Sequence, residues 1–333
     1  MNLSIIIINY KTPELTAGCI KTVLQFTSGI DFEVIVVDNA SGDGVEQLLK
    51  SRFPTVKFIQ MGYNAGFARA NNEGIRQSDG EMVLLLNSDT IIEDNAIGHC
   101  YSNFVQSDYV ACTLQILNPD RTPQPSGFYV VKGGLNFLLH LPYLGNWIKF
   151  TGNSIKFRRP ILTTVETVAE VDWVNGAFLM TRKTVIAKAG LMDEDFFLYA
   201  EEAEWCSRLK RAGKLIVYGG IHIIHIQAGS SIPAFQSVDK AYDNIFDKKG
   251  AQLLLSSFVR IRKEFGPGWF FLNLAICYFE IPVFFIGVLC TALAGKKHRY
   301  TFNEFSGYVK NLLKTSRFIF QLVRNKPYFY KLL

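Results

Sequence analysis

Cysteine is scarce and scattered: six in 333 residues, at positions 19, 100, 112, 206, 277 and 290, with no Cys-x-x-Cys pair. That spacing argues against a zinc knuckle or a redox dithiol and fits a reducing compartment. Two phosphate-binding signatures are missing as well. After the first apolar run stands Asn9-Tyr10-Lys11-Thr12-Pro13-Glu14-Leu15 where GxGxxG would sit, and GxxxxGK[ST] occurs nowhere. Dinucleotide oxidoreductases and P-loop enzymes are therefore disfavoured. No repeat at a period of about 20 to 50 residues and no low-complexity tract is found. The N-terminal run Leu3 to Ile8 lacks a basic segment before it and a small-residue cleavage site after it, so it reads as a buried strand and not a signal peptide.

What is present suits a packed core: 49% hydrophobic and 19% charged residues exclude a disordered chain. Charge is unevenly spread. Residues 251–333 hold 12 Lys+Arg and 3 Asp+Glu, while residues 1–250 hold 23 and 26, so the basic character of a chain with net charge +6 belongs to its tail.

Leu3 to Ile8 is β-branched and ends at Asn9, Tyr10 and Pro13; Leu15, Cys19, Ile20, Val23 and Leu24 then fall at helical spacing. The unit recurs, with a strand at Phe32 to Val37, a helix at Val45 to Phe53 and a strand at Val56 to Gln60. Met82 to Leu86 is apolar at every position, as a strand covered on both faces should be. Alternation of this kind predicts an α/β fold with a mostly parallel central sheet flanked by helices. Ligands of such sheets bind at the carboxyl ends of the strands, and there the polar residues collect: Asn9 and Tyr10, Asp38 and Asn39, Asn87 to Asp89.

Six segments in order resemble the inverting family 2 glycosyltransferases of GT-A fold, especially the rhamnosyltransferase-like members that build bacterial surface polysaccharides. They are Ile6 to Tyr10, Val36 to Asp43, Asn64 to Gly74, Leu84 to Thr90, Trp173 to Phe178, and Met192 to Arg208, all within about residues 3 to 231. The resemblance implies a GT-A catalytic domain over residues 1–235, and the residues that follow, 236–333, read as a helical, basic and aromatic membrane-associating region.

The resemblance also implies roles. Asp38, with Asn39, contacts the nucleotide; the rival reading is an Asx turn in Asp-Asn-Ala-Ser-Gly-Asp. Asn9, Tyr10, Asn64, Gly66, Arg69, Asn71, Asn87 and Ser88 complete the nucleotide-sugar site, Arg69 facing phosphate from the start of a helix unless it is merely solvated there. Asn87-Ser88-Asp89 stands where the family has DxD. Asp89 is thus the ligand of a hard cation, Mg²⁺ or Mn²⁺, with His225 of the late His-x-x-x-Gly-Ser as a second ligand or a half-buried structural histidine. In the acidic stretch 193–208, Glu202 is the general base that deprotonates the acceptor hydroxyl, with Glu201 as the competing assignment and Asp193 on the acceptor side. Otherwise the same acids sit on a helix N-terminus, Glu204 pairing Arg208. Trp173, Gly176 and Ala177 read as the acceptor floor or as tight core packing.

Residues 268–294 are apolar but for Glu280, which Pro282 soon follows. That length permits a span, and the carboxylate and proline equally permit two short helices in the interface. Arg260, Arg262 and Lys263 precede it, and Lys296, Lys297 and Arg299 follow. Phe302 to Leu333 then interleaves aromatics with Lys310, Lys314, Arg317, Arg324 and Lys326, as an amphipathic helix on anionic lipid would, or a helical cap with a solvated face. No nucleic-acid module accompanies the charge. The sequence thus points to an inverting transfer of a sugar, rhamnose being the guess, from a nucleotide diphosphate to a saccharide, lipid-linked acceptor at the cytoplasmic face of the plasma membrane. The rivals are a polyprenyl-phosphate sugar synthase and a catalytically silent nucleotide-sugar-binding scaffold.

Overall fold

The computed structural model describes residues 1–154, 160–227, 244–293 and 300–332. The β-branched run before Asn9 forms β1 (Leu3–Asn9). Pro13 opens α1 (Pro13–Phe26) in its first turn, where a missing N–H has no helical partner to lose. The unit repeats as β2 (Phe32–Asp38), α2 (Val45–Arg52), β3 (Lys57–Gln60), α3 (Gly66–Arg76) and β4 (Met82–Asn87). Next come β5 (Thr90–Ile91), α4 (Ala96–Val105), β6 (Ala111–Leu117), β7 (Gly127–Phe128), a 3₁₀ stretch at Lys132–His140 and α5 (Leu144–Ser154). Then follow β8 (Ile161–Leu162), β9 (Val168–Val171), β10 (Trp173–Val174), β11 (Phe178–Arg182), α6 (Lys183–Ala189), α7 (Glu201–Leu209) and β12 (Leu215–His225). The remainder is helical: α8 (Lys248–Phe265), α9 (Pro267–Leu293), α10 (Phe302–Ser316) and α11 (Ile319–Arg324).

The main sheet runs β3-β2-β1-β4-β11-β6-β12-β5, with β9 also on β12. Strands β3, β2, β1 and β4 are parallel, β11 is antiparallel between β4 and β6, and β12 is parallel to β6. With β5 and β9 antiparallel to β12 the sheet is mixed, six of its nine strands running one way, and its parallel half is the one the alternation predicts. Ile5, Ile7, Val34, Val36, Leu84 and Leu86 are buried against Cys19, Ile20 and Val23 of α1, each large side chain contributing about 1.5–3 kcal/mol. Register matters more for function. Asn9 stands opposite Asp38 and Ile8 opposite Asn87, so the carboxyl ends of β2, β1 and β4 lie level on neighbouring strands about 4.8 Å apart.

The chain divides into two compact units. The first is Met1–Tyr129, Ile161–Phe197 and Glu201–Pro233; the second is Val130–Pro160, Leu198–Ala200 and Ala234–Leu333. The single break expected at residue 235 lies close to the later boundary, but residues 130–160 join the second unit. The cause is apolar: Phe137, Leu138 and Leu141 are buried, with the Phe137 ring 5.6 Å from Phe258. Gly133 has φ +74°, and a Cβ there would lie 2.0 Å from the Trp269 ring, so only glycine allows that approach.

Helix α9 passes through Pro282 without interruption, unlike the two-helix alternative. A proline inside a helix costs about 3 kcal/mol, and the packing on either side offsets it. Phe284 sits among Tyr143, Phe246, Tyr300, Phe305 and Tyr308 at centroid distances of 5.5–5.9 Å. Glu280 is fully buried, and its carboxylate accepts the backbone N–H of Tyr143 at 2.8 Å and of Leu144 at 3.0 Å. The expected basic flank Lys296, Lys297 and Arg299, with Ala294 and the terminal Leu333, lies outside the described residues.

Candidate active site

The polar edge is built by short hydrogen bonds between strand ends. Asn9 donates to Asp38 Oδ1 at 2.7 Å, to Ser41 Oγ at 3.0 Å and to Asp43 Oδ2 at 3.1 Å, and its own oxygen accepts from Thr16 at 2.8 Å. Asp38 also accepts from the Ser41 backbone at 3.0 Å, the Ser41 hydroxyl at 2.5 Å and Gln60 Nε2 at 3.0 Å. Four donors saturate the carboxylate. Asp38 therefore makes the tight turn, and a ligand there would have to exchange with one of these donors. Lys11 and Ala40, the loop residues beside Tyr10 and Asn39, take left-handed φ of +57° each, a strained conformation often found at functional sites.

Asn39 faces the next loop, donating to the Gly66 carbonyl at 2.9 Å and accepting from the Ala65 N–H at 3.1 Å; Asn64 accepts from the Gly66 N–H at 3.2 Å. Gly66 has φ +76°, and a Cβ there would stand 2.1 Å from the Phe197 carbonyl oxygen. Helix α3 is thereby pinned to the acidic segment. Arg69 donates from Nε to the Glu194 carbonyl at 2.9 Å, so that nitrogen positions protein rather than phosphate. Asn71 bonds the Phe67 carbonyl of its own helix at 3.0 Å. Asn72 exchanges bonds with Met192, and Arg76 pairs with the Glu194 carboxylate. Burial raises the Glu194 carboxyl, but Arg76 and Asn72 more than offset this and hold it below the ordinary range.

The expected cation ligands do meet. His225 Nε2 lies 3.2 Å from Asp89 Oδ1, both buried, with Asn87 Nδ2 at 3.4 Å from the same nitrogen. Gln124 fixes the imidazole. Its Nε2 donates to the His225 carbonyl at 2.6 Å and to Asn118 at 2.8 Å, which turns Oε1 toward His225 Nδ1 at 3.1 Å. With Nδ1 turned to this acceptor, a neutral imidazole would present its Nε2 lone pair to the Asp89 carboxylate. Two electron-rich atoms facing each other suit a cation between them, and a mixed N and O set suits Mn²⁺ as well as Mg²⁺. No group of three His, Cys, Asp or Glu meets among the described residues, so among them Asp89 and His225 would supply two ligands. Burial pushes the Cys19 thiol up to about 12, and it hydrogen-bonds the Asn87 carbonyl. His222 stands apart, 3.9 Å from Glu93. Gly229 and Ser230 of the His-x-x-x-Gly-Ser match lie outside the described residues.

The segment Trp173 to Phe178 joins this edge to the acids. The Asn87 N–H donates to the Ala177 carbonyl at 3.0 Å, Ala177 being buried, and a Cβ on Gly176 would come 3.6 Å from Glu202 Cγ. Trp173 stacks on Phe128 at 4.9 Å and 9°. Glu202 is half-buried in the first turn of α7, directly after Tyr199 and Ala200, two consecutive non-glycine residues at φ +73° and +66°. Glu201 is buried. Glu204 forms the expected i,i+4 pair, bidentate with Arg208 at 2.8 and 2.7 Å, and so serves the helix. Asp193 accepts the Asp195 N–H at 3.0 Å as a turn residue. Ser88 is buried between Asn87 and Asp89. Sequence reasoning missed Gln124, Ser41, Gln60 and Asn72. Each is an uncharged polar residue whose partner lies far away in sequence or on an unpatterned loop.

Three comparisons agree with this geometry. The model of "Glycosyl transferase family 2" matches residues 4–154. The low-salt glycan biosynthesis hexosyltransferase of Haloferax volcanii is 30% identical over 234 residues, 66% of this chain and 67% of that protein. The N-acetylglucosaminyl-diphospho-decaprenol L-rhamnosyltransferase of Mycobacterium tuberculosis is 27% identical over 218 residues, covering 60% and 67%. Among solved structures, a mannosyltransferase from Pyrobaculum calidifontis in complex with GDP-Man and Mn²⁺ superposes with a TM-score of 0.52 at 14% identity, over 97% of this chain and 82% of that one. With a GT-A sheet and these relatives, the chain belongs to glycosyltransferase family 2.

Proposed function

We propose that the protein transfers a sugar with inversion from a nucleotide-diphosphate donor, in a cation-dependent reaction, to a saccharide acceptor carried on a lipid. One observation carries this reading: a single hydrogen bond from Asn87 to Ala177 ties the Asp89 and His225 pair to the loop where Gly176 lies against Glu202. Groups for the leaving diphosphate and for the attacking hydroxyl thus share one edge.

Asn9, Tyr10, Asn39 and the turn organised by Asp38 hold the nucleoside end, with Gln60 free to yield its place on Asp38 to a ligand hydroxyl. Asp89 and His225 would hold Mg²⁺ or Mn²⁺, which when bound offsets charge developing on the diphosphate. Glu202 accepts the acceptor hydroxyl proton as that oxygen attacks the anomeric carbon from the face opposite the diphosphate. Inversion follows in one displacement with no sugar-enzyme adduct. Gly176, with no side chain, leaves Glu202 its approach, and Trp173 offers an apolar face to a sugar ring. Rhamnose as donor sugar and a polyprenyl-diphosphate saccharide as acceptor are supported by the name of the mycobacterial relative. The basic second unit supports residence on an anionic membrane, at its cytoplasmic face.

The test is nucleotide diphosphate release across a panel of donors, on intact protein in detergent, with and without EDTA. Release that needs both a saccharide acceptor and a divalent cation is expected. Transfer untouched by EDTA would remove the cation role of Asp89, and transfer to bare polyprenyl phosphate with Glu202 dispensable would replace this reading with a polyprenyl-phosphate sugar synthase.

A further inference from the structure

We propose that α5, far upstream of the C-terminal helices, is a second membrane-seating element: it inserts Trp147 and Phe150 into the interfacial layer of an anionic bilayer while α9 lies within the same leaflet instead of crossing it. This rests on the membrane residence proposed above and adds where and how deep.

Trp147 and Phe150 are 65% and 70% exposed, the two most exposed aromatic side chains among the described residues. Spaced i,i+3, they share one face of α5, and Lys149 beside them is exposed as well. Large apolar rings held in water lose the hydrophobic term that a membrane interface restores, and tryptophan is enriched there because one end of its ring is polar. Among the described residues 130–154, the charged ones are Lys132 and Lys149 with no Asp or Glu, the complement of an anionic headgroup layer.

Helix α9 supplies the depth argument. At 1.5 Å per residue its 27 residues span about 40 Å, longer than the roughly 30 Å of hydrocarbon. One stripe, Phe270, Leu274, Cys277, Phe284 and Val288, is buried along the helix, with Phe258 of α8 against Phe270 at 5.7 Å. The other stripe, including Phe271, Phe279, Phe285, Ile286, Leu289 and Leu293, is exposed over the same length. A spanning helix would carry the start of α8, with Asp247, Lys248 and Lys249, into hydrocarbon beside it, because Phe246 lies 5.9 Å from Phe284 in mid-helix, at several kcal/mol per charge. Glu280, at the middle of α9, instead holds the first backbone amides of α5. A helix covered by the rest of its own unit on one side and bare on the other along its whole length suits an in-plane position, apolar side down.

The experiment uses the full chain with vesicles of phosphatidylcholine and phosphatidylglycerol, part of the phosphatidylcholine brominated at a shallow or a deep acyl position. Wild-type tryptophan emission should shift to the blue and quench more with shallow than deep bromine. Trp147→Phe should lose a large share of that quench, and the double variant Trp147→Ala with Phe150→Ala should bind vesicles about tenfold or more weakly. Its nucleotide binding and thermal unfolding should stay unchanged, since both rings are exposed. Vesicle binding with Trp147→Phe quenched like wild type, or the double variant bound like wild type, overturns the role of α5. Stronger quenching by deep bromine overturns the in-plane position. A wild type that ignores vesicles overturns both this inference and membrane residence, and a dimer broken by the double variant in that case identifies a second copy as the occupant.

Discussion

The two units of this chain follow opposite charge rules. The first holds 15 Lys+Arg and 23 Asp+Glu, a net of −8; the second holds 20 and 6, a net of +14. An acidic unit repels a nucleotide diphosphate, so on the function proposed above its site would gather local positive potential through a cation at Asp89 and His225 and through backbone N–H groups. The second unit shows the reverse economy. It keeps its carboxylates few and hydrogen-bonds the one in α9, Glu280, while basic and apolar side chains stay exposed. On the proposed function, recognition of the donor would be a matter of placed atoms, and attachment a matter of summed charge and area.

The sharpest way to break this division is Glu202→Gln. Loss of a general base should lower kcat by about 10²–10⁴-fold, with vesicle binding and nucleotide affinity intact. A steady-state assay beside vesicle sedimentation measures both. Retained turnover would leave the acidic edge without a deprotonating group and favour a phosphate acceptor. Next in size is neutralising Lys310, Lys314 and Arg317 to glutamine, all exposed on or just after α10. At about 1 kcal/mol per charge near an anionic surface, vesicle affinity should fall on the order of 100-fold, and high salt should erase the difference. Catalysis on a soluble acceptor should not change.

Gln124→Leu separates placed atoms from summed charge, because it alters no charge. Without Gln124 Oε1 the His225 ring loses its fixed tautomer, and Mn²⁺ affinity, read by titration calorimetry with nucleotide present, should drop about 10–100-fold. An unchanged affinity would mean that Asp89 alone holds the cation.

How much of this was legible in the sequence follows from the same contrast. Strands β1 to β4 were readable because each is a short, largely apolar run between turn residues, and the level ends of those strands followed from parallel pairing. Asp89 and His225 could be named from the motif, but not their 3.2 Å approach, which depends on β12 reaching β5. Gln124 was invisible, since glutamine in an unpatterned loop carries no local signal. Arg69 was named for phosphate because its charge and its place near a helix start suggest it; the carbonyl of Glu194, 125 residues away, claims its Nε instead. The membership of residues 130–160 in the second unit was equally hidden, because long-range apolar packing decides it.

The smallest expected effect tests whether charge pairs hold the acidic segment in place. Arg76 and Glu194 are 46% and 42% exposed, so solvent screens their ion pair, and Glu194→Gln should cost under about 1 kcal/mol at pH 7 by chemical denaturation. Because the folded-state carboxyl titrates below its ordinary range, its contribution is complete above the unfolded pKa and disappears as pH falls through the folded one. Wild type and variant should therefore differ at neutral pH and converge in acid. A gap that persists in acid would assign the stability to the Asn72 amide and the uncharged hydrogen bonds around Met192, and the acidic segment would then be placed by geometry alone.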